Sequence, residues 1–132
     1  MRRLVVIAAV LVGVTAASSS AATPSTSLTG TWRGVLSGSV NGVTKHEPIQ
    51  FTINTAQNAG TWSASSSCHG KLILQSISNG YHHYIRHTAP GSTCAWGDVD
   101  CLEREGTKVV DSVTPRPNGW ARSGTLSRVT TT

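Results

Sequence analysis

Leu28-Thr29-Gly30-Thr31-Trp32-Arg33-Gly34 is the stretch that decides the fold. It has the chemistry of a strand start. Glycine lets the backbone bend, and the broad indole ring of Trp32 can cover the end of a small closed sheet. The stretch reads as the first strand of an antiparallel barrel with a Gly-x-Trp plug at one end.

Working outward, the chain carries eight runs of β character: Gly30–Gly38, Glu47–Thr55, Gly60–Ser66, Gly70–Ser78, Tyr81–His87, Cys94–Glu103, Thr107–Val113 and Trp120–Thr130. In the second, Ile49, Phe51 and Ile53 alternate strictly with Gln50, Thr52 and Asn54, the period-2 pattern of a half-buried strand. Asn79-Gly80 sits between two runs, and this pair suits a type I′ hairpin because both turn residues must take positive φ. Gln57-Asn58-Ala59-Gly60, Arg104-Glu105-Gly106 and Pro115 to Gly119 supply further turns. The many Gly, Ser and Thr residues fit turns and strands, not helices. The expectation is an all-β chain, an antiparallel eight-stranded up-and-down barrel with no open edge. A β-sandwich is the alternative. Its immunoglobulin form would place a Trp between paired cysteines, and none lies between Cys68 and Cys94. Gly60-Thr61-Trp62 and Gly119-Trp120 repeat the opening chemistry and read as further Trp caps.

Upstream of Leu28, Met1-Arg2-Arg3, the apolar run Leu4 to Val14 and the small-residue end Ser20-Ala21-Ala22 form a secretory signal peptide helix. The apolar run is shorter than the roughly 20 residues of a membrane span. The expected organisation is a signal peptide over 1–22, a flexible leader over 23–27 and a barrel domain over 28–130, secreted and free of the membrane after cleavage. No cysteine follows the apolar run, so a lipid anchor is excluded. Eleven Lys+Arg face six Asp+Glu. The basic residues are evenly spread and form no phosphate-tracking stripe, so nucleic acid is not an expected partner.

Cys68, Cys94 and Cys101 allow three single pairings, and each leaves one thiol over. Cys68 and Cys94 occupy loop or strand-end positions, whereas Cys101 lies within a strand-like run. The preferred disulfide is therefore Cys68–Cys94. Its closure of about 25 residues is worth about 3 kcal/mol in the chain-entropy picture. Cys101 is then a free thiol, either buried as a small hydrophobe in a monomer or exposed and able to link two chains.

Gly30-Thr31-Trp32 resembles the opening motif of lipocalins, and avidins open similarly. The resemblance implies that Trp32 closes one barrel end beneath an arginine of the last strand, Arg128 or else Arg122. Trp32-Arg33-Gly34, Cys68 with Gly70-Lys71-Leu72-Ile73-Leu74, Cys94 with Gly97-Asp98-Val99, and Ser123-Gly124-Thr125-Leu126-Ser127-Arg128 together resemble a family of small, secreted, uncharacterised β-proteins of actinobacteria. This implies a fold and a compartment but no activity. Cys101 departs from that pattern.

Candidate chemistry is sparse. His46, His69, His82, His83 and His87 form no metal-ligand spacing, so no metal and no cofactor is expected. Asp98 and Asp100 share a strand face about 6.6 Å apart, near a glycosidase carboxylate spacing. Their alternation with Val99 and Cys101 reads instead as a solvated face. No nucleophile elbow, zincin motif or phosphate loop is present, and the expectation is a non-enzyme. Trp62, Tyr81, Tyr84 and Trp96 are the ligand-contact candidates, since such rings offer flat apolar surface with one polar atom. Two functions fit. One is a binding protein that takes a small apolar or amphipathic ligand into the barrel mouth. The other is a protein-interaction module such as a secreted inhibitor of an extracellular enzyme. An interior cavity of several hundred Å³ would support the first; a packed interior would sink it and leave the second.

Overall fold

The structure, a computed structural model, describes residues 26–130 apart from 93 and 95. The expected signal peptide over 1–22 and the first residues of the expected leader lie outside them. The described chain is a closed antiparallel barrel in which each strand pairs with its neighbour in sequence and the last with the first. The strands are β1 (Gly30–Val40), β2 (Val43–Ile53), β3 (Ala59–Ser65), β4 (Cys68–Ser78), β5 (Tyr81–Thr88), β6 (Val99–Glu105), β7 (Lys108–Thr114) and β8 (Arg122–Arg128). The seam is a true ladder: Trp32 faces Arg128, Gly34 faces Leu126 and Ser37 faces Ser123. The sandwich alternative is thereby set aside.

Where strand limits differ from the sequence reading, turn chemistry is the reason. β1 and β2 run on to a tight turn at Asn41-Gly42, with φ of 51° and 78°. This is a second Asn-Gly hairpin of the kind seen at Asn79-Gly80, where φ is 53° and 81°. β6 starts at Val99 and not at Cys94 because Gly97 adopts φ 86°. The preceding segment is tied to β4 by the Cys68–Cys94 disulfide, with Cα atoms 5.7 Å apart. β8 starts at Arg122, past a turn in which Asn118 has φ 64°.

Alternation sends one side chain in two inward. The interior is filled by Trp32, Leu36, Ile49, Phe51, Trp62, Leu72, Tyr84, Leu102, Val109 and Leu126, all essentially inaccessible. Eight strands leave room for such side chains or for one small ligand, and here side chains take the space.

One correction concerns charge. Asp98 and Asp100 do not form a solvated face: both are buried and point into the barrel, together with Arg86, Asp111 and Arg122. The alternation runs with the opposite polarity to that of a solvated face. The partly exposed outer face of β6 carries Val99, and Cys101 lies nearly buried beside it. Apolar residues can face outward on one strand when a buried arginine on the next strand demands carboxylates.

Candidate functional site

Arg86 on β5 is at the centre of the interior network. Its Nε donates to Asp100 Oδ2 at 2.6 Å and its Nη2 to Asp100 Oδ1 at 2.9 Å, the two-pronged fit of guanidinium to carboxylate. Nη2 also reaches Glu47 Oε1 at 3.1 Å. The guanidinium carbon lies 4.9 Å from the Trp62 ring centre and 5.8 Å from that of Phe51. Arg122 extends the network. It donates to Glu47 Oε1 at 3.0 Å and to Asp98 Oδ2 at 2.8 Å, and it lies over Trp120 at 4.8 Å.

Asp111 on β7 completes this polar core. It is fully buried, and burial together with the adjacent Asp100 carboxylate pushes its carboxyl well above the usual range. Arg86 and Arg122 pull the other way and do not compensate. As two carboxylates, Asp100 and Asp111 would repel each other in a dry interior. With a proton on Asp111, their contact becomes a hydrogen bond that Asp111 donates. The network is largely buried and both of its guanidinium groups are ion-paired, while Arg86 Nη1 and both Asp111 oxygens find no further hydrogen-bond partner among the described residues. Its role is to fill and hold the barrel.

One recess lies at an end of the barrel. The β2–β3 loop, the Asn79-Gly80 turn, the β6–β7 end and the segment before β1 gather around this recess of about 320 Å³. Leu28 and Leu102 give it apolar walls, and Gln57, His82, Glu103 and Arg104 give it polar ones. Beneath it the barrel is sealed. Trp32 donates from Nε1 to Leu28 O at 2.8 Å, and Leu28 N donates to Gln57 Oε1 at 2.9 Å. Arg128 and Arg104 both lie over the Trp32 ring, at 4.5 and 4.9 Å. Gly30 is required here: its φ is 120°, and a Cβ would stand 2.7 Å from Arg128 Nη1. Arg104 is further held by donating to Ser27 O at 2.6 Å. Burial, and then the neighbouring His83, lower the pKa of His82. Its ring stacks against Tyr84 with centroids 6.1 Å apart.

The sequence-selected residues fall in several places. Of the two arginines considered for the Trp32 plug, Arg128 occupies it, while Arg122 sits at the other end of β8 in the interior network. Trp62 is a core residue whose Nε1 donates to His87 O at 3.2 Å. Tyr84 is also a core residue: its hydroxyl donates to Gln57 O at 2.7 Å, and burial pushes its pKa up to about 12. Tyr81 lies beside Glu103, whose carboxylate raises the phenol pKa. Trp96 is 55% exposed in the β5–β6 loop and meets His87 edge to face at 4.6 Å. The fold therefore does not bring these four rings into one site. Cys101 is a buried free thiol, 3.2 Å from His83 Nδ1. Burial pushes its pKa up, so it rests as the thiol. Among the described residues, no group of three or more His, Cys, Asp or Glu side chains is placed to hold a metal ion.

Sequence reasoning missed the recess residues Leu28, Gln57, His82, Leu102, Glu103 and Arg104. They come from the segment before β1, the β2–β3 loop, the start of β5 and the end of β6, far apart in the chain, and only the tertiary fold gathers them. No known protein family, curated protein or solved structure matches this chain.

Proposed function

We propose that the protein is a secreted, non-enzymatic binding protein that takes a small amphipathic ligand at the barrel mouth. The observation that carries this reading is the recess of about 320 Å³ walled by Leu28 and Leu102 on one side and Gln57, His82, Glu103 and Arg104 on the other. Its size lies at the low end for small-molecule sites, roughly 300–1,000 Å³, which typically combine apolar walls with a few polar groups. The filled interior goes against a ligand held inside the barrel, and on the criterion set from the sequence it counts for the interaction module; the ligand reading rests on the recess at the mouth alone. The signal-like N-terminus and the Cys68–Cys94 disulfide support export.

Native mass spectrometry of the protein purified from culture medium tests the reading. The expected result is a bound small molecule that is lost in His82→Trp, which fills the recess. A wild-type protein that carries nothing and gains no mass from a library of amphipathic metabolites would refute it. A second reading, an interaction module or secreted inhibitor, draws on the same packed interior and on Val43 and Ile77, which expose most of their surface. Recovery of a stoichiometric protein partner from the medium, with an empty recess, would favour it.

A further inference from the structure

A second site lies on the outside of the barrel, across the seam where it closes. Outward-facing Ser127, Arg33 and Gln50 form one cross-strand row over β8, β1 and β2. Lys108 of β7 continues that row beyond Ser127. Val35 and Pro48 are paired two residues along. Val129 extends the seam by donating to Thr31 O at 2.9 Å. Two recesses of about 510 and 200 Å³ open here, with Arg33 and Pro48 as walls of both. The larger lies over the β8–β1 seam and forms the groove; the smaller adjoins it over β2 and β3.

The electrostatics of this groove are one-sided. Arg33 donates from Nε and Nη2 to Gln50 Oε1, at 3.0 and 2.6 Å. A neutral amide thus orients the guanidinium without cancelling its charge. Lys108 donates to Ser127 Oγ at 2.8 Å, again a neutral partner. Among the described residues the ion pairs belong to Arg86 and Arg122 inside the barrel. No carboxylate walls either recess.

These facts narrow the occupant. The barrel is closed, so no strand edge is free to pair with a peptide main chain. No aromatic ring lines the groove, so a nucleobase or sugar has nothing to stack on. Arg33 and Arg128 wall the larger recess and Lys108 stands beside it, three cations in one short patch and too few to track a phosphate backbone. An apolar floor beside an uncompensated, oriented guanidinium matches an alkyl chain that ends in an anion. We propose that this groove binds a single-chain carboxylate amphiphile of the fatty-acid class. Its carboxylate sits on Arg33, with Lys108 adding attraction, and its chain lies along Val35 and Pro48. Val35 is 50% exposed, and such a chain would cover it.

The test uses the full mature protein and dodecanoate, kept below its micellar concentration, followed by amide chemical shifts. Dodecanoate is expected to shift the amides of Arg33, Val35, Ser127 and Val129. Arg33→Gln should weaken binding by about tenfold, the loss typical of one charge-assisted contact. Dodecanol should bind weaker than dodecanoate by a similar factor. Val35→Asp should abolish binding while the remaining spectrum stays folded. The inference is overturned if no shifts occur, if Arg33→Gln or dodecanol leaves affinity unchanged, or if only anionic vesicles bind. Shifts confined to Leu28, His82 and Leu102 would overturn it while leaving the mouth reading intact. His82→Trp is expected to leave the outer groove untouched, so the two sites fail independently.

Discussion

Asp111→Asn isolates the energetic consequence of burying an acid beside an acid. Asp111 is fully inaccessible, faces Asp100 and has a folded-state pKa well above that of a free carboxyl. In the unfolded chain its pKa is about 3.9. Between those two values the folded state binds a proton that the unfolded state does not. Stability therefore falls as pH rises through this window, by about 1.4 kcal/mol per pH unit at full effect. The contribution is fully favourable below the unfolded pKa and is lost as pH rises towards the folded one. Asparagine has nearly the same shape, donates an N–H to Asp100 where the protonated acid donates an O–H, and binds no proton in either state. The variant should thus gain on the wild type as pH rises, by about 1.4 kcal/mol between pH 4.5 and 5.5. Linkage from the other carboxylates is common to both proteins and cancels in the difference. Urea unfolding followed by Trp fluorescence at each pH measures it, with unchanged m-values as the check on two-state behaviour. A variant destabilised by the same amount at every pH would show that Asp111 is ionised in the core and refute the reasoning.

Arg86→Leu removes the guanidinium that holds Asp100 and Glu47 and leaves buried charge unpaired; a loss of about 3–5 kcal/mol is expected in urea unfolding. A loss below 1 kcal/mol would mean the carboxylates find other partners. Replacing Cys68 and Cys94 by Ser should lower stability by about 3 kcal/mol. In the native wild type, Cys101 should resist thiol reagents until unfolding, since it is buried; fast labelling of the folded protein would contradict its placement. Arg128→Ala and Arg104→Ala should each cost about 0.5–2 kcal/mol through the lost contact with Trp32. A double-mutant cycle with Trp32→Leu should show coupling, and strict additivity would argue against the plug. The Tyr84 phenol should stay protonated in the fold to about pH 12. Stability should therefore decline as pH rises from about 10. An ultraviolet titration in which both tyrosines ionise at the ordinary pKa of a fully folded protein would refute this.

The barrel itself was legible in the sequence. Alternation at Ile49–Ile53, the Asn-Gly turn at 79–80 and the spacing of eight short runs all express local rules: side chains alternate every residue, and positive φ selects Asn and Gly. The Asn41-Gly42 turn obeys the same rule and was missed only because the residues around it, from Ser39 to Lys45, lack apolar alternation. The Trp32 plug could be read together with a choice of two arginines. Selecting Arg128 required the seam register, which places it directly across from Trp32. What the tertiary structure alone decided is where the charge goes and where the space is. Asp98 and Asp100 look like surface residues because local pattern cannot report what stands opposite. Arg86 and Arg122, on β5 and β8, turn those carboxylates inward, with Glu47 of β2 as a further acceptor, since a buried guanidinium must be paired. The mouth recess and the outer groove have no local signature either. The recess joins residues from before β1, the β2–β3 loop, β5 and β6, and the groove joins β8 to β1 and β2, so each depends on long-range pairing that no local pattern reports.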